Sequence, residues 1–263
     1  MLTTLISVLI GAAVGVASYL AWGVVWAVIC GAVCMLAAQA AIGLFLRRKV
    51  SALQSELQNL LAEGQNKIQR KLTIMQQRGS TDMKSARNLL EREQNILLNS
   101  ALHFCDRFNV YSLWSPMLSR QINTMRFAFL YQMKDFKEAD ALSRRCLFMD
   151  PQSISMRLAR LYRNNDPSLD KFFKSKSRRL KGESCVLPYC TYAWIKLHSD
   201  APQEALNVLI EAKGKTDNPV VTENWERLAN EKYKQFTLSG LGDAWYSLYL
   251  EEPKMPKGRR QYA

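Results

Sequence analysis

The sequence predicts an all-α chain in three parts: an N-terminal transmembrane helical hairpin, a helical stalk of coiled-coil character, and an array of short helix pairs. Three observations carry this prediction. No Asp, Glu, Lys, Arg or His occurs from Met1 to Leu46, and no proline occurs before Pro116. Nowhere do apolar and polar residues alternate over a strand's length, whereas beyond the uncharged segment apolar residues recur at threes and fours. The boundaries that follow are 1–46 for the hairpin, 47–110 for the stalk, 111–253 for the helix pairs and 254–263 for a basic tail.

A helix of about 20 apolar residues crosses a bilayer core, so the uncharged segment is long enough to cross twice. A cleaved secretory signal would need basic residues ahead of an apolar run of about 7–15 residues. Here the run is several times longer, and the cleavage-like Ala38-Gln39-Ala40 lies too deep. Tyr19, Trp22 and Trp26 mark the turn, because aromatic rings with a polar edge settle at the membrane interface. Helices at 2–20 and 24–46 follow, with one bent or re-entrant segment as the alternative. Gly11 and Gly15 form a small-xxx-small pair, and Ala37, Ala38 and Ala41 offer a similar strip, through which the hairpin could pack on itself or on a copy. Gln39 is the one amide-bearing side chain of the segment and reads as a helix–helix hydrogen bond before a transport site.

All of the net charge of +13 lies in residues 47–263. Arg47, Arg48 and Lys49 follow the second helix directly, and basic residues beside a span are retained on the cytoplasmic side, which places both ends of the chain in the cytoplasm. The six cysteines are irregularly spaced, with neither a CxxC pair nor a zinc pattern, so they are not a secreted disulfide framework. Cys185 and Cys190 are the one close pair in the soluble part; buried free thiols rank ahead of a redox pair.

Val50, Leu53, Leu57, Leu60, Leu61, Ile68, Leu72 and Met75 make one apolar stripe in a broken heptad, with Gly64 on the seam. The second membrane helix therefore continues as the stalk to about Gln77. Arg78-Gly79-Ser80-Thr81-Asp82 reads as a helix stop followed by a cap. The next helix, Met83 to about Phe108, places Leu89, Leu90, Ile96, Leu97, Ala101, Leu102, Phe104 and Cys105 on its apolar side, and the short connection favours an antiparallel return. From Ser115-Pro116 onward, prolines and Asp or Asn punctuate shorter helices.

Tyr131-Gln132-Met133-Lys134-Asp135-Phe136-Lys137-Glu138-Ala139, continued to Asp150-Pro151, resembles the turn and second helix of a tetratricopeptide repeat. In that reading Phe136 plugs the turn, Ala139 is small at the helix crossing, and Pro151 stops the second helix. Pro151, Pro219 and Pro253 are 68 and 34 residues apart, twice and once the repeat period. Trp225-x2-Leu228-Ala229 fits the first helix of the last unit, and Trp245 and Pro253 fit later slots; Leu158-Ala159-x2-Tyr162 suggests one further unit and Tyr189, Ala193, Ala205, Leu209 and Ala212 another. Ala139 precedes its proline by 12 residues and Ala205 by 14, so the spacing slips, and Leu241 stands where the last unit would have a small residue. An unrelated helical bundle is the alternative. The resemblance, over about 120–253, implies a binding scaffold with a groove for a protein or peptide and no catalytic residues. A double anchor followed by such repeats also resembles a haem-biosynthesis-associated group of bacterial inner-membrane proteins, from which no role is carried over.

No phosphate-binding glycine loop, zinc-protease helix or nucleophile elbow occurs, and the two histidines, His103 and His198, are not grouped with partners. No cofactor, metal or catalytic residue is expected. Trp194, Trp225, Trp245 and Tyr246 are the groove candidates, although periodicity places most of them in the core. Glu251-Glu252 reads as solvated surface. Lys171, Lys174, Lys176, Arg178, Arg179 and Lys181 crowd around Phe172-Phe173, and Lys254, Lys257, Arg259 and Arg260 form the tail. A solvated or lipid-facing basic surface, with Arg47, Arg48, Lys49, Lys174, Arg178 and Arg179 as the lipid-facing residues, ranks above nucleic acid, for which no module is present. The leading function is a non-enzymatic scaffold recruiting a partner at the cytoplasmic face. A self-associating membrane-organising protein comes second, and a redox enzyme last.

Overall fold

The computed structural model describes residues 2–77, 83–112 and 114–253, and every regular element among them is helical. The chain divides into two compact units, one ending at Leu147 and the other beginning at Phe148. This division falls inside the stretch 111–253 that the sequence groups together, because the helices on either side of it pack within their own units. The basic tail from 254 and the cap at 78–82 lie outside the described residues.

The first unit opens with α1 (Leu2–Trp22) and α2 (Val24–Gln77). Gly23 alone separates them, at φ +86°, a conformation side-chain-bearing residues rarely adopt, and its amide closes on the Tyr19 carbonyl at 3.2 Å. Both helices are long and apolar enough to cross a membrane. Their seam is rich in small residues: among the described side chains of α1, Ser7, Gly11 and Ser18 are the buried ones. A Cβ on Gly11 would stand 2.8 Å from the Met35 Cβ and 2.9 Å from the Gly31 carbonyl oxygen. The strip opposite Gly11 and Gly15 is therefore Gly31 and Met35, continued by half-buried Ala38. Ala37 and Ala41 point outward, and so does Gln39, which is not at the hairpin seam. The alanine triplet is contiguous in sequence, but a helix turns about 100° per residue and puts only one of the three inward.

α2 runs unbroken for 54 residues, and its expected stripe is its more buried face. α3 (Met83–Phe104) returns antiparallel along it, with Gly64 opening room for Leu97 and Lys71 paired with Glu93 at 2.6 Å. Leu98, at 9 % exposure, takes the seam position expected of Ile96, which is 52 % exposed. A 3-10 turn (Cys105–Phe108), α4 (Asn109–Ser112), α5 (Pro116–Gln132) and α6 (Phe136–Ser143) complete the unit. Leu57, Ala101, Cys105, Phe108 and Ile122 form a core joining α2, α3 and α5. Asp135 caps α6 by accepting from the Glu138 amide at 3.2 Å, Phe136 meets Tyr131 edge-on at 5.4 Å, and Ala139 is fully buried where α5 and α6 pack.

The second unit contains α7 (Pro151–Arg163), α8 (Leu169–Ser177), α9 (Glu183–Leu197), α10 (Pro202–Lys213), α11 (Pro219–Ala229), two 3-10 turns and α12 (Asp243–Tyr246). α9 is buried from Cys185 to Ile195, around its whole circumference, as expected of a helix apolar on all sides. It even contains Pro188, whose missing amide costs one ladder hydrogen bond inside a helix held by its neighbours. Pro151 does not stop a helix: α6 has already ended at Ser143, and Pro151 occupies the first turn of α7 behind the cap of Asp150, which accepts from the Ser153 amide at 2.8 Å. Asn218-Pro219 opens α11 in the same way, because proline fits a helix's first turn, where its missing amide has no partner to lose. Buried Asn224 ties the following loop to α11, donating to the carbonyls of Val220 and Thr237 and accepting the Thr237 amide at 3.0 Å.

Candidate functional site

The groove candidates divide in two. Trp245 is fully buried and Trp194 is 5 % exposed. Their rings meet edge-on at 5.7 Å, and both indole N–H groups donate to one carboxylate, Trp194 to Glu251 Oε1 at 2.6 Å and Trp245 to Oε2 at 3.0 Å. Tyr162 packs edge-on against Trp194 at 5.7 Å, and His198 stacks on it at 3.7 Å. This is a closed core in which each buried donor has its acceptor. Glu251 is thus a fastener and not a solvated surface charge. Trp225 and Tyr246 remain half-buried, and the Lys213 ammonium sits 3.5 Å from the centre of the Trp225 ring.

Around α9, two polar clusters fasten the neighbouring helices. Tyr192 donates to Asp170 at 2.8 Å, and Lys196 bridges Asp170 at 3.0 Å and Glu204 at 2.8 Å, joining α8, α9 and α10. Lys215 donates to the Tyr189 hydroxyl, to Glu211 at 2.8 Å and to the Ser177 carbonyl at 3.2 Å. Burial alone would raise the Asp170 and Glu211 carboxyls, but hydrogen bonds from Lys196 and Tyr192, and from Lys215 and Tyr189, hold both below their ordinary values. Burial opposes the charge on Lys196 and Lys215, and their carboxylate partners reverse this and raise both ammonium groups. Burial first, then the adjacent carboxylate, pushes the Tyr189 and Tyr192 phenols up. Each shift moves its group away from neutral pH, the reverse of what general acid–base chemistry uses.

The thiols behave alike. Burial pushes Cys190 up to about 12 and Cys105 up to about 11, and it also raises Cys185. All six cysteines are free thiols, and Cys105, Cys185 and Cys190 are fully buried. Among the described residues, no cluster of three or more His, Cys, Asp or Glu is placed to hold a metal.

The basic run folds as α8 and the turn after it. Phe173 is buried and stacked on Tyr192 at 3.8 Å, which turns Lys171, Lys174, Arg178, Arg179 and Lys181 outward. Lys176 is half-buried with its ammonium 5.8 Å from the Phe172 ring, and burial, then the charge of Arg179, lowers its pKa. Arg47, Arg48 and Lys49 are exposed at the base of the stalk, with Lys49 5.9 Å from the Phe45 ring centre.

One site has no sequence motif behind it. A cleft of 590 Å³ between α3, α5 and α6 has Leu102, Leu130 and Leu142 on its walls and Asp106, Arg126 and Arg145 at its edge. Arg126 pairs with Asp106 at 2.7 Å and donates to Asn109 at 3.1 Å, while its buried Nε has no hydrogen-bond partner among the described residues. Residues 20 apart in sequence meet there through tertiary packing, which no local motif reports. His103 lines the same cleft.

What these features define is a helical chain with an apolar N-terminal hairpin and a packed, polar-fastened second unit. No protein-family model matches the chain, and neither a curated protein nor a solved structure does so.

Proposed function

We propose that the chain is a two-span membrane protein of the bacterial inner membrane whose helix pairs, related in pattern to tetratricopeptide repeats, form a cytoplasmic scaffold that recruits a partner protein. One observation carries the anchor: the described outer surface of the hairpin is largely apolar, with Leu20 81 % and Val25 70 % exposed and Thr4 and Gln39 as polar exceptions, while its inner seam is rich in small residues. Such a continuous apolar surface is costly in water and favourable in lipid. Arg47, Arg48 and Lys49 at the end of the apolar stretch support the cytoplasmic orientation. The antiparallel α5–α6 and α9–α10 pairs, with Ala139 and Ala205 fully buried, support the repeat reading. The exposed bases Lys174, Arg178 and Arg179 add attraction to anionic lipid of about 1 kcal/mol each when near the surface. Trp225 and Tyr246 are the groove aromatics that keep surface for a partner.

The self-associating alternative drew on the Gly11/Gly15 strip and the stalk stripe, and both are covered from within one chain, by Gly31 and Met35 and by α3. The test has two arms. The chain stays in membranes through alkaline carbonate washing, and it co-purifies a stoichiometric partner from detergent extracts that Trp225→Ala weakens. Release by carbonate overturns the anchor; recovery of the chain alone overturns recruitment.

A further inference from the structure

A second cleft, of 940 Å³, opens where the uncharged stretch of α2 ends. Following α2 outward, its lining includes Gly43 and Leu44, then Arg47 and Arg48, then Ser51, and α5 contributes Leu118 and Gln121. Along α2 the lining passes from apolar through cationic to residues that include hydrogen-bonding Ser51, Gln54 and Ser55, an order that suits the acyl chain, the phosphate and the polar headgroup of phosphatidylglycerol. No carboxylate lines the cleft, and neither arginine is in an ion pair among the described residues. Two unneutralised guanidinium groups facing one cleft create demand for an anion, and their forked donors suit phosphate oxygens.

The level of the cleft is fixed independently. The Thr3 hydroxyl, at the start of α1, donates to the Trp114 carbonyl at 3.2 Å, so the corner between α4 and α5 lies at the same end of the hairpin as Arg47. Met117, beside Leu118 on that corner, is 57 % exposed and Val110 is 68 % exposed. An apolar corner set level with the end of the uncharged segment continues the hairpin's lipid-facing surface. Gly43 leaves open space where a side chain would stand.

We propose that this cleft is a binding site for one anionic phospholipid, its phosphate held between Arg47 and Arg48 and an acyl chain lying along Gly43 and Leu44. The proposal rests on the hairpin spanning a bilayer. It goes beyond the diffuse attraction of a basic collar, because Lys49 carries the same charge yet does not line the cleft.

The full chain, delipidated in neutral detergent, is titrated with phosphatidylglycerol or phosphatidylcholine and the bound lipid counted by native mass spectrometry. One phosphatidylglycerol binds in preference to phosphatidylcholine. Arg47→Gln and Arg48→Gln each weaken it about fivefold, and together about thirtyfold, while Lys49→Gln changes it by less than about twofold. Leu118→Trp fills the cleft without altering charge and also weakens binding, with helical content and thermal midpoint checked for each variant. Equal losses for Lys49→Gln and Arg48→Gln, indifference to Leu118→Trp, or equal retention of the two lipids overturns the site. Inorganic phosphate competing at millimolar concentration would assign the cleft to a free anion and also overturn it. Insertion into phosphatidylcholine bilayers is scored separately, so that failure of the anchor is not mistaken for failure of the cleft.

Discussion

The α1–α2 seam and the surroundings of α9 are both helix packing, yet they are built from opposite materials. The hairpin buries Ser7, Gly11 and Ser18 and leaves Leu20, Val25 and Leu44 outside. α9 buries Tyr189, Tyr192 and Trp194, and its polar atoms are matched to Glu211, Asp170 and Glu251. The difference is the one expected if the hairpin, as proposed, lies in lipid and the second unit in water. In water, large apolar groups move inward and drive packing; in lipid they gain nothing by doing so, and close backbone approach is what remains.

The largest expected effect lies in the second region. Trp245→Ala removes a fully buried ring and leaves Glu251 short of one donor, and is expected to cost about 3–5 kcal/mol, read as a fall in the denaturation midpoint of the full chain. A cost below about 1 kcal/mol would mean that the two indoles do not form a core. Next comes Gly11→Ile in the hairpin. The Gly31 carbonyl cannot move aside as a flexible side chain would, so about 1–3 kcal/mol of overpacking is expected. Spin labels on Leu9 and Val33 in bilayers report it as a longer inter-helix distance, and an unchanged distance would show that the seam does not depend on small residues.

The smallest effect is the pH dependence, and only the second region supplies it. Asp170 and Glu211 have folded pKa values below their ordinary 3.8 and 4.5, so their contribution is present above those values and is lost as pH falls further, through the folded ones. Lys196 and Lys215 are raised above 10.5, so their contribution is full below that value and is lost as pH rises through the folded ones. Denaturation midpoints measured across these ranges give a plateau with both limbs; Asp170→Asn with Glu211→Gln flattens the acid limb and, by removing carboxylates that raise Lys196 and Lys215, shrinks the alkaline limb as well.

Much of this architecture is legible in the sequence where the signal is local. The break at Gly23, the continuation of α2 to Gln77 and the antiparallel return of α3 follow from charge, proline and periodicity. Leu98 rather than Ile96 is buried on α3, because Ile96, Leu97 and Leu98 are consecutive and apolar and a helix turns about 100° per residue, so composition does not say which of them faces inward. Pro151 is legible as a boundary but not as to its side, because the same residue both ends one helical pattern and opens the next. The Glu251 clamp was hidden for a different reason. It joins Trp194 and Trp245 across 57 and 6 residues, and a carboxylate near a helix end looks solvated until its long-range partners are known. The Arg126–Asp106 pair, 20 residues apart, is hidden for the same reason.

The uninterrupted α2 has a mechanical consequence. At about 1.5 Å per residue, the part beyond Arg47 is a rod of roughly 45 Å continuous with the apolar stretch. Tilting that stretch by about 10° would sweep the far end of the rod through roughly 8 Å, and rotating it would turn the rod about its own axis. Beyond Arg47, α2 has no proline and its one glycine, Gly64, is wedged against Leu97, so the rod itself contains no hinge. With the hairpin spanning a bilayer as proposed, a change in bilayer thickness or lateral pressure would reach the tip as displacement and torque.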